Sequence, residues 1–200
     1  MILTGPEILK QIKEKKIYIS PFDKKRLNPA SYDLSLGDEV AIYPDCVEPF
    51  PRSQMTYEDG REFVAKPAGS CVLDSKKELR VERYKMDKKY GWYLKPGILY
   101  LMHTDEIIHT DHNVPIIDGK SSIGRLGVVV HLTAGFGDAG FNGQYTLEVT
   151  VVHPVRVYPG MKFCQVRFHR MEGEVKLYNG NYVGETARGP VGSRSWKQFG

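Results

Sequence analysis

The chain has 200 residues, enough for one domain that buries roughly 70% of its unfolded surface. Of these residues, 41% are hydrophobic and 26% are charged. The sequence shows no apolar run long enough to span a bilayer and no pattern of a secretory leader. We therefore expect a cytoplasmic protein with a single domain over residues 1–200. The net charge of +4 suits an anionic ligand but does not require one.

The cysteines give no sign of a structural cross-link. Cys46, Cys71 and Cys164 are an odd number without paired spacing. This pattern predicts neither a disulfide framework nor a zinc knuckle, and a reducing compartment is its simplest interpretation.

The first predicted element is a helix. Thr4 and Glu7 have the spacing of a capping box, and Pro6 suits the first helical turn. An apolar stripe follows at Ile8, Leu9 and Ile12. The helix is expected to end near residue 15 or 16.

Strands are predicted for most of the remaining chain. Residues 32–36 alternate in hydrophobicity, and Gly37-Asp38 turns them into a second strand over 39–43. Residues 44–69, rich in Pro, Asp and Glu, indicate an irregular excursion. Pro-Gly turns at 96–97 and 159–160 each separate two strand-like segments. Many short strands with few helices predict an all-β barrel or sandwich with minor helices. The tail from about residue 179 either orders over a ligand or frays.

Three known nucleotide-related motifs are out of context, wrongly spaced or absent. Residues 135–140 have the glycine spacing of a dinucleotide fingerprint, but a strand pattern follows where that motif needs a helix. Gly119-Lys120-Ser121 resembles the end of a P-loop, but Val114 stands where the first glycine belongs. The chain also lacks the His-x-Glu and Pro-Cys-x-x-Cys motifs of zinc-dependent base deaminases, so no zinc is expected.

A short helix is predicted to begin at Ser121. Ser121 and Arg125 are four residues apart and would share one helix face. A hydroxyl, a guanidinium and the exposed amides of a helix start form a good phosphate or oxyanion site. An N-cap serine beside an ordinary surface arginine explains the spacing equally well.

Residues 144–152 alternate like a strand with two different faces. The apolar face holds Tyr145, Leu147, Val149 and Val151, and the polar face holds Gln144, Thr146, Glu148 and Thr150. Glutamate is depleted in strands, so Glu148 either faces water or lines a site. Phe141, just before this strand, either stacks on a base or sugar or fills the core.

Taken together, these segments resemble the dCTP deaminase family of the trimeric dUTPase-like superfamily. The resemblance lies in residues 119–127, 130–136, 138–143 and 146–148, with further matches at 28–37, at 159–161 and at Gln165. It implies a mainly β protomer, a distorted β-barrel with an N-terminal helix and short accessory helices. It also implies a homotrimer with active sites between subunits.

The resemblance also implies roles for individual residues. Glu148 would take a proton from the attacking water and pass one to N3 of cytosine, and the carbonyl of Ala134 would place that water. Asp138 would lie near the deoxyribose 3′-hydroxyl, and Phe141 would pack on the sugar and disfavour a 2′-hydroxyl. Residues matched to the triphosphate, the base or other substrate atoms are Ser121, Arg125, Lys120, Ser122, Thr133, Gln165 and Tyr182. Mg²⁺ would enter on the triphosphate.

Some positions depart from the family pattern. Lys120 stands where arginine is common, which loses the bidentate fork. Gly137 replaces a β-branched residue and should loosen its loop. Asn181 and Glu185 stand where the family usually has lysine and glutamine, which puts the closing role of the tail in question.

The resemblance favours deamination of dCTP to dUTP and ammonia, with dTTP and dUTP as further possible ligands. A close alternative is the bifunctional branch, which forms dUMP and pyrophosphate and is favoured by residues 134–136 and 189–195. Weaker alternatives are a plain dUTPase, a non-catalytic nucleotide-binding trimer, and nucleic-acid binding through the lysine-rich N-terminus.

Overall fold

The computed structural model describes residues 1–49, 63–66, 71–182 and 188–199, and it confirms a mainly β fold with few helices. The helices are α1 (Gly5–Lys13), α2 (Ser121–Gly124) and α3 (Trp196–Phe199). The first strands are β1 (Tyr18–Ser20), β2 (Tyr32–Ser35), β3 (Glu39–Ile42), β4 (Val47–Pro49), β5 (Phe63–Ala65), β6 (Glu82–Lys85) and β7 (Trp92–Leu94). The later strands are β8 (Tyr100–His109), β9 (Asn113–Gly119), β10 (Val128–Val129), β11 (Asn142–Val151), β12 (Val155–Val157) and β13 (Lys162–Arg170). In the described ranges, no helix combines the length and apolar character that a membrane span requires.

The described strands form four antiparallel sheets. The largest has the order β10-β11-β8-β3-β6, and β1 also pairs with β8. A second sheet has the order β2-β13-β9, and the pairs β12-β7 and β4-β5 complete the set. Buried side chains from both larger sheets form a common core. The result is a distorted barrel. Among the described residues, strand pairing is not continuous around it, so the barrel is not closed.

Helix α1 has the predicted apolar face but not the predicted capping box. Ile8 is fully buried. Thr4 occupies the N-cap position, yet its side chain makes no cap hydrogen bond within the described part of the chain. Glu7 instead accepts hydrogen bonds from Gln11 at 3.0 Å and from Arg170 of β13 at 2.9 Å. Glu7 is thus bonded once within the helix and once to β13, and neither bond caps the helix.

The Gly37-Asp38 link is a crossover between sheets and not a hairpin turn. β2 pairs with β13, whereas β3 pairs with β6 and β8. A β-carbon on Gly37 would overlap the buried ring of His103, so only glycine fits at this crossover.

The prediction that the cysteines form no disulfide is wrong for two of the three. Cys46 and Cys71 are disulfide-bonded, with their Cα atoms 5.1 Å apart. Strand β4 pairs with β5, and the Lys66 amide donates to the Cys46 carbonyl at 3.1 Å, so the chain returns to residue 46 before it reaches residue 71. Cysteine spacing therefore no longer argues for a reducing compartment.

The same two strands correct the prediction of an irregular excursion over residues 44–69. Within its described part, β4 and β5 form a two-stranded sheet. The rest of that prediction, at residues 50–62 and 67–69, lies outside the described residues. The third cysteine, Cys164, is free and fully buried, and this burial raises the pKa of its thiol.

Candidate active site

A cavity of about 550 Å³ opens along the polar side of β11. Its wall combines the loop before β11, β11 itself, the region around β3 and β8, and two C-terminal segments. The lining residues are Tyr43, Leu99, Leu101, 132–134, 136–138, Phe141, 144–146, Glu148, Tyr178, Tyr182 and 191–193. Six predicted site residues therefore meet in one cavity: Glu148, Ala134, Thr133, Asp138, Phe141 and Tyr182.

Glu148 is half-buried in the cavity wall. It lies in register with Leu101 of β8, and its Oε2 accepts a hydrogen bond from the Leu132 amide at 3.3 Å. The pairing with β8 fixes the backbone, and the amide orients the carboxylate. A carboxylate held in this way beside apolar side chains can accept a proton from a bound water and return it.

Tyr43 places a neutral phenol near this carboxylate. Burial raises the pKa of the Tyr43 hydroxyl, and the Tyr182 and Glu148 side chains raise it further. A hydrogen bond from the Ser193 amide, 3.0 Å long, opposes the shift only in part. The Tyr43 hydroxyl therefore stays protonated at neutral pH and can donate into the cavity.

The loop that carries Ala134 and Asp138 is fixed to β9 by main-chain bonds. The Gly135 carbonyl accepts from the Ile117 amide at 2.7 Å, and the Gly137 amide donates to the Pro115 carbonyl at 2.8 Å. These bonds anchor residues 135 and 137, which are buried. The alternate residues 134, 136 and 138 are exposed. Ala134 and Asp138 are consequently presented to the cavity from an anchored backbone.

Aromatic rings cluster at one end of the cavity. The centroid of the Phe141 ring lies 4.9 Å from that of Tyr145 and 6.1 Å from that of Tyr178. The Tyr178 hydroxyl accepts from the Tyr182 amide at 3.2 Å, so Tyr182 joins the same group. Such a wall suits the flat faces of a sugar or base.

A β-bulge changes the predicted facing of β11. The predicted apolar face holds for the fully buried Leu147 and Val149. The register with β8 shifts between Gln144 and Thr146, and the Tyr145 amide donates to a Thr104 side chain at 2.9 Å. Tyr145 packs against the core as the pattern predicts, and the bulge also places three consecutive residues, 144–146, in the cavity wall.

The C-terminal segment lies along the polar side of β11. The amides of Gly189 and Val191 donate to the side chains of Gln144 and Thr146 at 2.8 and 3.1 Å. The amide of Ser193, two residues further on, donates to the Tyr43 hydroxyl, so every second amide from 189 to 193 bonds to a side chain. The described tail is thus docked against the cavity, whereas the motif at 183–185, including Glu185, lies outside the described residues.

Helix α2 forms as predicted but lies apart from the cavity. The Arg125 amide donates to the Ser121 carbonyl at 3.1 Å, so the two residues lie one helical turn apart. Ser121, Ser122 and Arg125 are exposed, and none of them is among the cavity-lining residues.

Lys120, which precedes α2, is held by a buried carboxylate. Its ammonium lies 2.8 and 2.9 Å from the two carboxylate oxygens of Asp33, and Lys162 lies 3.2 Å from the second oxygen. Burial alone would raise the pKa of Asp33, but hydrogen bonds from Lys120, Asn28 and Lys162 outweigh it and lower that pKa below its ordinary value. This charged cluster fixes the start of α2.

Gln165 supports the same region. Its amide nitrogen donates to the Gly119 carbonyl at 3.0 Å, and its oxygen accepts from the Ser31 hydroxyl at 2.9 Å. Gln165 and Lys120 thus both make structural contacts beside α2, and their roles toward a substrate stay predictions.

Several cavity residues were not among the site residues predicted from the sequence. Tyr43 and residues 191–193 come from opposite ends of the chain, and Tyr145 enters only through the bulge. Gln144 and Thr146 did share the predicted polar face with Glu148, which was the available clue. Within the described ranges, no cluster of three or more His, Cys, Asp or Glu side chains is placed to hold a metal ion.

Comparison with known proteins identifies similar chains. A family model described as dCTP deaminase-like matches residues 2–171. A protein of Leptospira biflexa serovar Patoc is 44% identical over 183 residues, which cover 91% of this chain and 90% of that protein. A protein of Clostridium beijerinckii is 39% identical over 200 residues, with 100% and 99% covered. Both proteins are named dCTP deaminase, dUMP-forming.

One solved structure shows a similar fold. The crystal structure of 2′-deoxycytidine 5′-triphosphate deaminase from Agrobacterium tumefaciens aligns with a TM-score of 0.56 at 20% identity. The alignment covers 85% of this chain and 48% of that chain, so the present chain spans about half of its length.

Proposed function

Because the chain belongs to the dCTP deaminase-like family, we propose that it deaminates dCTP hydrolytically and releases dUMP and pyrophosphate. The family resemblance favoured dUTP as the product, with dUMP as the close alternative. The names of the relatives from Leptospira and Clostridium support the alternative. We expect the enzyme to act in the cytoplasm, on the deoxynucleotide pool.

The observation that carries this proposal is the position of Glu148 in the wall of the cavity, beside the loop that presents Ala134. Water would add to C4 of cytosine while Glu148 takes its proton and delivers one to N3. The proton of the new C4 hydroxyl then passes to the amino group, the C4–N bond breaks, and ammonia leaves a uracil ring behind. Positioned proton transfer is typically worth roughly 10²–10⁴ in rate, and orientation and electrostatic stabilisation supply the rest.

The second step would cleave the bond between the α- and β-phosphates. A water attacks the α-phosphorus, pyrophosphate leaves, and dUMP remains. We assign the neighbourhood of Asp138 to this water, because its anchored loop presents a carboxylate at the cavity. Mg²⁺ would enter on the triphosphate and neutralise part of its charge, with its ligands coming chiefly from phosphate oxygens and water.

Helix α2 supports an active site shared between subunits. Ser121 and Arg125 can bind phosphate oxygens but lie outside the cavity of their own chain. Large apolar side chains are exposed around α2 and the following loop: Leu126, Val129, Leu132, Phe136 and Val152. The Val152 amide donates to the Gly127 carbonyl at 2.9 Å, which places Val152 beside the segment that carries Leu126. We propose a homotrimer in which α2 of one subunit faces the cavity of its neighbour.

The test is to incubate the purified protein with dCTP and Mg²⁺ and to separate the products by ion-exchange chromatography. Direct formation of dUMP and pyrophosphate supports the full proposal. Accumulation of dUTP supports deamination and refutes the second step. If dCTP is unchanged while added dUTP is cleaved, the chain is a dUTPase, and if neither nucleotide is consumed, the chain is a non-catalytic binding protein.

A further inference from the structure

The bulge in β11 brings one aromatic side chain into contact with two parts of the cavity. Tyr145 lines the cavity with its ring, which lies 4.9 Å from the ring of Phe141. Its hydroxyl is buried and has no hydrogen-bond partner among the described residues. Burial, and secondarily the charge of Asp138, raise the pKa of this hydroxyl, so it stays a neutral phenol.

The hydroxyl of Tyr145 occupies space that only a glycine leaves open. A β-carbon on Gly137 would overlap this hydroxyl and would lie 2.9 Å from the ring carbon Cε1. The same β-carbon would lie 3.0 Å from the Pro115 carbonyl, to which the Gly137 amide is already bonded. The loop therefore cannot move away without breaking that bond, and Tyr145 and Gly137 match each other in size.

Stability alone does not explain the hydroxyl. A buried hydroxyl without a partner is destabilising, and a phenylalanine would pack against Phe141 without this cost. The hydroxyl does fill the gap beneath Gly137, the residue next to Asp138. Tyr145 thus touches Phe141 directly and supports the backbone that carries Asp138.

We propose that Tyr145 is a positioning residue that sets the sugar selectivity of the cavity. Its ring holds Phe141, and its hydroxyl holds the main chain at Gly137. Together these contacts fix the depth of the space between Phe141 and Asp138, in which a 2′-hydroxyl would not fit. This inference rests on the proposed function, since it assigns the sugar to that space.

The experiment compares kcat/KM for dCTP and for CTP in the wild type, Tyr145→Phe and Tyr145→Leu. Loss of the ring in Tyr145→Leu should reduce the preference for dCTP by about tenfold, and Tyr145→Phe should reduce it less. The change should lie mainly in KM and in the use of CTP, because Glu148 is untouched. Tyr145→Phe should melt no lower than the wild type, which separates selectivity from stability.

A second substitution provides a rescue. Gly137→Ala alone should weaken dCTP use, because its methyl group displaces the Tyr145 hydroxyl. In the Tyr145→Leu background the same methyl group fills vacated space and should restore part of the preference for dCTP. A general loss of folding would instead be worsened by the second substitution.

The outcomes separate the two proposals. If the wild type does not consume dCTP, the proposed function fails, and this inference fails with it. If the wild type prefers dCTP and all variants, including Tyr145→Phe, keep that preference within about twofold, only the inference on Tyr145 is overturned.

Discussion

The cavity and helix α2 are the two regions with candidate chemistry, and they are built in opposite ways. The cavity is concave and collects Glu148, aromatic rings and the tail from distant parts of one chain. Helix α2 is a single turn with Ser121, Ser122 and Arg125 exposed, and its start is held by the charged cluster around Asp33. Under the proposed function, one chain would offer a space for the base and sugar and would present its phosphate-binding residues outward.

The largest effect is expected in the cavity. Glu148→Gln keeps the shape of the side chain but cannot accept a proton, so deamination should fall by roughly 10²–10⁴ while dCTP binding changes little. Single-turnover release of ammonia and equilibrium binding of dCTP measure the two quantities. Glu174→Gln, at an exposed carboxylate after β13, is the matched control and should be fully active. Retained deamination in Glu148→Gln would refute its role.

The next effect is expected on α2. Arg125→Ala should raise KM for dCTP by about 10–100-fold, because it removes a charge-assisted bond to an anionic group. Arg125→Lys should recover only part of the loss, since lysine keeps the charge without the bidentate fork. Steady-state kinetics decide this, and an unchanged KM in Arg125→Ala would mean that α2 is an ordinary surface turn.

The cluster behind α2 should affect stability. Asp33→Asn leaves Lys120 and Lys162 without their counter-ion and should lower the free energy of unfolding by about 1.5–3 kcal/mol. Both lysines are partly exposed, which limits the effect. Urea unfolding measures it, and Asp74→Asn at an exposed ion pair is the control, with a change of about 0.5 kcal/mol or less.

The difference in unfolding free energy between the wild type and Asp33→Asn should depend on pH, because the pKa of Asp33 is lowered in the folded state. An acid whose pKa is lower in the folded state stabilises the fold above its unfolded pKa of about 3.9. This contribution is lost as the pH falls through the folded pKa. Wild-type and Asp33→Asn stabilities should therefore converge in acid, and a constant difference down to that range would contradict the assignment.

The smallest effect is expected where the tail meets the cavity. Thr146→Val removes the acceptor for the Val191 amide at nearly constant volume, and one lost hydrogen bond should raise KM for dCTP by about two- to tenfold. Thr150→Val, on the same strand but outside the cavity lining, is the matched control. Equal effects of the two substitutions would show that tail docking does not contribute to the site.

Alternation along the chain predicted β11 and its buried face, because strand geometry depends on local periodicity. Leu147 and Val149 are buried as that pattern requires. The bulge before them could not be predicted, since it depends on a Thr104 side chain that binds the Tyr145 amide from another strand. Periodicity therefore identified the strand but not the side chains that its bulge turns into the cavity.

Long-range contacts set the remaining limits of prediction. Cys46 and Cys71 are neighbours only because β4 and β5 pair, and Tyr43 meets the tail only after folding. The carboxylate of Glu148 was identified by its unusual place in a strand and by family resemblance. The family resemblance implied active sites between subunits, but neither spacing nor periodicity indicated that α2 and the cavity would lie apart in one chain.

The central claim is that Glu148 and Arg125 from two subunits serve one active site, and subunit mixing tests it most directly. Glu148→Gln and Arg125→Ala would each be purified, shown to have little activity at a dCTP concentration below the wild-type KM, unfolded together in equal amounts and refolded as mixed oligomers that are assayed at the same concentration. Each of the two residues is native in half of the subunits, so random assortment gives about a quarter of the shared sites both native Glu148 and native Arg125. About a quarter of the wild-type activity should therefore return. No recovery from properly assembled mixed oligomers would show that the two residues do not act together across a subunit boundary.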